Sequence, residues 1–156
     1  WPTTFCHTRQ CPRQQIPNNF TIHGLWPDDQ NTILNDCESD DKYTDIKDPR
    51  MRKQLEFHWP DLTAKVGDLK KNQGFWEYEF NKHGTCSQEL YDQDAYFDLA
   101  LKLKNKFDFL TTLRNHGIIP GKIYTVKNVE DAIEAVTTKV PNLNCIGDSK
   151  QTMELL

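Results

Sequence analysis

Between residues 94 and 115 the apolar positions Phe97, Leu101, Leu103, Phe107, Leu110 and Leu113 recur near a period of 3.6. That spacing turns one face of a helix toward a core, so it predicts one long helix, closed by Asn115, His116 and Gly117. A second helix is read in DPRMRKQLEFHWPDL. Asp48 can cap it, Pro49 suits its first turn, Met51 and Leu55 face inward four residues apart, and Pro60 stops it. A third lies in NVEDAIEAVTTKVP, with Asn128 as its cap and Pro141 beyond its end. FWEYEFNKHGTC is dense in aromatics, which suits a buried segment, and Gly84 suits a helix end there. Residues 19–23 and KIYTV (122–126) read as short strands, and residues 1–18 as loop. No repeat or low-complexity segment interrupts the pattern. Dispersed helices with short strands predict an α+β fold.

The length of 156 residues suits one domain with a real core. With 37% hydrophobic and 27% charged residues the composition is that of a soluble globular protein, and no apolar run is long enough to span a membrane. The start at Trp1, without methionine, reads as a processed or clipped product, and no signal peptide is visible. A formal net charge of −4 excludes the basic footprint of tight non-specific nucleic-acid binding. It does not exclude RNA as a substrate that is bound only briefly. The acidic run at 36–48 reads as a solvated loop rather than a metal site. Five cysteines in a polar chain of this size point to disulfides and an oxidising compartment. CHTRQC has the spacing of a short closed loop, and zinc, the rival, finds no second close pair of ligands. The odd count leaves one cysteine free, paired with another chain, or with its partner elsewhere. NFT at Asn19 is an N-glycosylation sequon, which agrees with secretion.

Among the five histidines, His7, His58 and His116 fit structural or exposed roles. His83 differs. If EFNKHG is helical, Glu79 and His83 share a face and Lys82 lies within the same turn. The surrounding Phe75, Trp76, Tyr78 and Phe80 should bury this charged group, which is costly unless it is paired or used. His23 closes the apolar triplet before Gly24 in FTIHGLWPDD. Two imidazoles, one neutral and one protonated, can move both protons needed to cleave RNA at its own 2′-hydroxyl, without metal. A lysine can steady the charge that builds on phosphorus, and an exposed aromatic can stack on a base.

FTIHGLWPD and FWEYEFNKHGTC resemble the two active-site segments of the ribonuclease T2 family. WPTTFCH, IPNNFTIHGLWPD, FDLALKLKNKFDFL, LRNHGIIPG and PNLNC extend the resemblance over nearly the whole chain and are most similar to the self-incompatibility ribonucleases (S-RNases) of nightshade-family plants. The resemblance implies a single ribonuclease domain over 1–156, truncated at both ends, with a central antiparallel sheet packed with several helices. It implies His23 as general acid, His83 as general base, and Glu79 and Lys82 as stabilisers of the transition state. Trp26, Asp28 and Phe75 would contact a base. Many members carry a phosphate-binding histidine where this chain has Tyr78, which implies altered substrate binding rather than loss of activity. The implied disulfides are Cys6–Cys11 and Cys37–Cys86, with Cys145 bonded to a cysteine outside these residues.

No cofactor or metal is implied. The expected substrate is single-stranded RNA, the expected state a monomer, and the expected location extracellular, in the transmitting tract of the style, with entry into pollen tubes. Residues 38–55 and 64–72 would form the variable surface tied to allele identity and to pollen F-box partners. A pI near 5.7, where S-RNases are commonly basic, keeps a secreted ribonuclease of phosphate salvage or defence as the second reading. An inert secreted binding or storage protein on the same fold is the third; the intact His23, Glu79, Lys82 and His83 speak against it.

Overall fold

The computed structural model describes residues 1–29, 32–144 and 152–154. The chain runs α1 (Pro2–Thr8), β1 (Asp28–Asp29), β2 (Thr32–Ile33), α2 (Pro49–His58), α3 (Leu69–Lys82), a 3-10 turn (Gly84–Ser87), α4 (Gln93–Lys106), α5 (Phe109–Asn115), β3 (Ile123–Thr125), α6 (Val126–Thr137) and β4 (Thr152–Glu154). Aspartate starts four of these helices. The carboxylates of Asp48, Asp68, Asp92 and Asp108 each accept from the N–H three residues on, which satisfies an otherwise orphaned donor.

Two apolar clusters follow. In the first, Leu55 and Trp59 from the end of α2 meet Trp76 and Phe80 of α3 and Tyr96, Phe97 and Leu101 of α4. The rings interlock, with Phe80 edge-on to Tyr96 at 5.5 Å and Trp59 tilted on Phe97 at 5.4 Å. In the second, α5 packs on α6 through Leu113, Ile118, Val129, Ala132 and Ile133.

The α+β class with antiparallel strands is as expected. Among the described residues the strands pair as two separate ribbons, β1 with β2 and β3 with β4, with Tyr124 opposite Met153.

Several local expectations need correction. Residues 94–115 are not one helix: the chain breaks at Phe107 and Asp108, and the Asp108 cap starts α5 as a separate helix. Phe97 and Leu101, before the break, fill the first cluster, while Leu113, after it, fills the second. Asn128 is not the cap of α6. Thr125 is, because β3 runs up to it and its hydroxyl accepts from Asn128 N–H at 3.2 Å. The first part of the expected 1–18 loop is helical, begun by Pro2 at a position that suits its fixed φ. Residues 19–23 form no ladder among the described residues. Their β-favouring side chains need a neighbouring strand to pair with. The segment is instead tied to helix ends and core rings: Ile22 N–H donates to His58 O (2.8 Å), Trp59 Nε1 to His23 O (2.9 Å) and Tyr96 OH to Leu25 O (2.7 Å).

Two disulfides are present. Cys6–Cys11 ties the last turn of α1 to the segment that follows it, and Cys37–Cys86 ties the segment after β2 to the 3-10 turn after α3. Cys145 lies outside the described residues.

Candidate active site

Helix α3 is oriented by Trp76 and Phe80, which are buried against α4. At about 100° per residue, that orientation sets Phe75, Glu79 and His83 along one flank and carries Tyr78 and Lys82 further round, toward solvent. His83 ends the helix, and its N–H donates to Glu79 O at 2.9 Å. Glu79 and His83 are both buried, at 2% and 7% exposure, while Tyr78 is 56% exposed.

The segment with His23 and Trp26 lies over this flank. Trp26 Nε1 donates to Glu79 Oε2 at 3.3 Å. Its indole lies 5.2 Å from the His83 ring, tilted by 33°, and 6.1 Å from the His23 ring, nearly edge-on. His23 also stands 6.1 Å from Phe75. Two imidazoles, 60 positions apart in sequence, thus meet the same indole. Gly24 permits the approach, since a Cβ there would overlap both Glu79 Oε2 and Trp26 Nε1. Trp26 remains 58% exposed. A groove of about 1170 Å³ opens beside His23 and Phe75 and runs past α1 toward Leu113 and Ile133.

Burial raises the Glu79 carboxyl above its ordinary range, against the Trp26 hydrogen bond and the charges of His23 and Lys82. Burial also lowers the His83 imidazole, helped by the Lys82 charge and opposed by Asp36 and the Leu34 carbonyl. A neutral His83 is therefore retained to lower pH than an ordinary histidine. Lys82 turns to Tyr78: its Nζ donates to the phenol oxygen at 3.3 Å and lies 5.5 Å over the ring. That contact raises the Lys82 ammonium. Among the described residues, no group of three His, Cys, Asp or Glu side chains is placed to hold a metal ion.

Of the residues singled out from sequence, His23, Trp26, Phe75, Glu79 and His83 form one cluster, with Lys82 and Tyr78 at its solvent edge. Asp28 stands apart in the exposed β1, where its carboxylate accepts from Asp29 N–H at 2.9 Å. Asn19 Oδ1 accepts from Phe20 N–H at 2.7 Å. His116 caps α5 and its Nδ1 lies 2.9 Å from Thr112 O. His58 packs edge-on against Phe57 at 4.7 Å. Sequence reasoning passed over Gly24 and Asp36. Gly24 adjoins His23 in the motif. Asp36 lies in an acidic run, and its place beside Cys37 is the one sequence signal of a fixed position.

The model of the Ribonuclease T2 family matches residues 1–156. Ribonuclease S-7 of Nicotiana alata is 50% identical across the whole chain, which spans 70% of that relative's length. The crystal structure of the Nicotiana alata gametophytic self-incompatibility associated SF11-RNase superposes with a TM-score of 0.87 at 40% identity, over 99% of this chain and 81% of that one. RNase NT in complex with 5′-AMP superposes with a TM-score of 0.79 at 30% identity, over 97% and 78%. With the full length matched and the cluster built on the two motif segments, the chain belongs to the ribonuclease T2 family.

Proposed function

We propose that the protein cleaves single-stranded RNA by acid–base transesterification that needs no metal. In this reading His83 takes the proton of a 2′-hydroxyl, and the freed oxygen attacks the adjacent phosphorus. His23 gives its proton to the leaving 5′-oxygen, which closes a 2′,3′-cyclic phosphate that water later opens to a 3′-phosphate. Glu79 and Lys82 steady the charge that develops on the phosphoryl oxygens. The raised carboxyl of Glu79 suits a proton-bearing donor, and Lys82 brings a fixed positive charge. Trp26 and Phe75 give stacking faces to the bases, Asp28 extends the base site along β1, and Tyr78 donates a hydrogen bond without positive charge. The observation that carries the reading is the packing of His23 and His83 against one exposed indole. The test is cleavage of single-stranded RNA by His23→Ala and His83→Ala, with cyclic-phosphate ends assayed in wild type. A loss of at least 10²-fold in each is expected, with no effect of EDTA on wild type. Near-normal turnover in either variant would remove it from the mechanism.

The finer reading is a secreted style S-RNase, glycosylated at Asn19, that degrades RNA in incompatible pollen tubes and meets pollen F-box proteins through the surface at 38–55 and 64–72. Its support is the likeness to Nicotiana alata ribonucleases of that kind. Style-restricted expression with allele-linked pollen rejection is the expected result; expression in phosphate-starved roots or leaves would favour the salvage enzyme, to which the acidic pI of about 5.7 leans.

A further inference from the structure

Asp36 holds a backbone conformation that its neighbours do not share. Its φ is +52°, in the left-handed region, which aspartate tolerates better than most residues. The turn aims its N–H at the end of α3, where it donates to Lys82 O at 2.7 Å, one residue before His83. The next residue, Cys37, is bonded to Cys86, three residues past His83. A hydrogen bond on one side and a disulfide on the other thus fix Asp36 beside the Lys82–His83 pair.

We propose that Asp36 is a positioning residue for the cleavage, which seats the end of α3 through its backbone and whose carboxylate tempers the positive field of Lys82 at His83. The proposal rests on His83 acting as the base. The groups facing His83 divide by element. Lys82 and Glu79 come from α3, His23 from the segment with Trp26, and Asp36 with the Leu34 carbonyl from the segment after β2. Asp36 is the acidic group among those from outside α3. The Lys82 charge makes His83 a weaker base, and Asp36 opposes it. The same carboxylate repels a phosphate arriving at Lys82. Its removal therefore has two opposed effects: a weaker base lowers kcat, while a stronger phosphate site lowers KM. Because Asp36 is exposed, both effects shrink as salt rises.

The test uses Asp36→Asn and Asp36→Gly, which both accept the left-handed φ and lose the carboxylate. With a polyuridylate substrate, both variants should show kcat and KM falling together and the acid limb of kcat/KM displaced to lower pH. The displacement should read as about twofold or more in relative rate on that limb. Raised salt should bring wild type and variants together. The His83 imidazole, assigned with a His83→Gln variant and titrated by NMR, should move to lower pH in both variants, a readout that needs no activity. An unmoved His83 titration overturns the proposal even where turnover falls. A moved titration in a protein whose His83→Ala variant still cleaves RNA upholds the field of Asp36 and fails the assignment of His83 as base.

Discussion

Two glycines in this site owe their identity to close approach rather than to an unusual backbone angle, and they predict opposite phenotypes. A Cβ at Gly24 meets the buried Glu79 Oε2 and the near edge of the Trp26 indole, and of the two it is Trp26, 58% exposed, that can swing outward and let the carboxylate turn. Gly24→Ala should therefore melt close to wild type yet lose much of its activity, because withdrawal separates Trp26 from Glu79. A Cβ at Gly84 meets the ring of Phe80, which is 1% exposed and wedged between Tyr96 and Phe97. Gly84→Ala should cost about 1–3 kcal/mol of stability while the remaining folded molecules keep their turnover. Thermal melts and assays normalised to the folded fraction separate the two. Gly84 was expected to serve as a helix end. It does follow α3, but what demands a glycine there is the packed ring.

Among the elements, what was legible was local chemistry, and what was not was the partner each element faces. Asp48 with Pro49, and Gly117 with its φ of +75° at the end of α5, could be read because a cap is decided within a few residues. The 3.6 period across 94–115 misled because periodicity records burial and not which core receives the side chain. Phe97 and Leu113, sixteen residues apart, fall about 160° apart on an ideal helix, and they enter different clusters. The Asp108 cap decides the break. Asp108→Ala should cost about 1 kcal/mol, measured by denaturant unfolding, and should loosen α5 and the second cluster with little effect on RNA cleavage. The candidate site was readable as far as Glu79 and His83, whose four-residue spacing is set by one helix. That Trp26 joins them to His23 was not readable from periodicity, because the joining segment carries no ladder and is held by the Trp59 and Tyr96 side chains.

For the whole molecule the buried site couples stability to pH from two directions. The Glu79 carboxyl is raised above its ordinary 4.5, so its contribution to stability is complete below that value and is lost as pH rises through the folded-state value. The His83 imidazole is lowered from 6.5, so its contribution is complete above that value and is lost as pH falls through the folded-state value. The two windows extend toward each other between those reference values. Glu79→Gln should therefore gain stability over wild type as pH rises past 4.5 and then hold that gain, while losing turnover. His83→Gln should gain as pH falls below 6.5. Melting curves across this range read both signs, and a Glu79→Gln advantage that vanished at neutral pH would contradict the assignment of burial as the dominant cause.

Trp26 also has an optical consequence. Trp59 and Trp76 are buried, whereas Trp26 keeps 58% of its surface in water with the His83 imidazole 5.2 Å and the His23 imidazole 6.1 Å from its ring. Its emission should be that of a hydrated indole, shifted to the red of Trp59 and Trp76, and open to collisional quenchers that do not reach those two. Protonation of the adjacent His83 imidazole should dim that light, and if a base stacks on Trp26 as proposed, added nucleotide should dim it again. The residue on which the two halves of the site converge is therefore a lamp built into the molecule, an optical readout of what happens beside it.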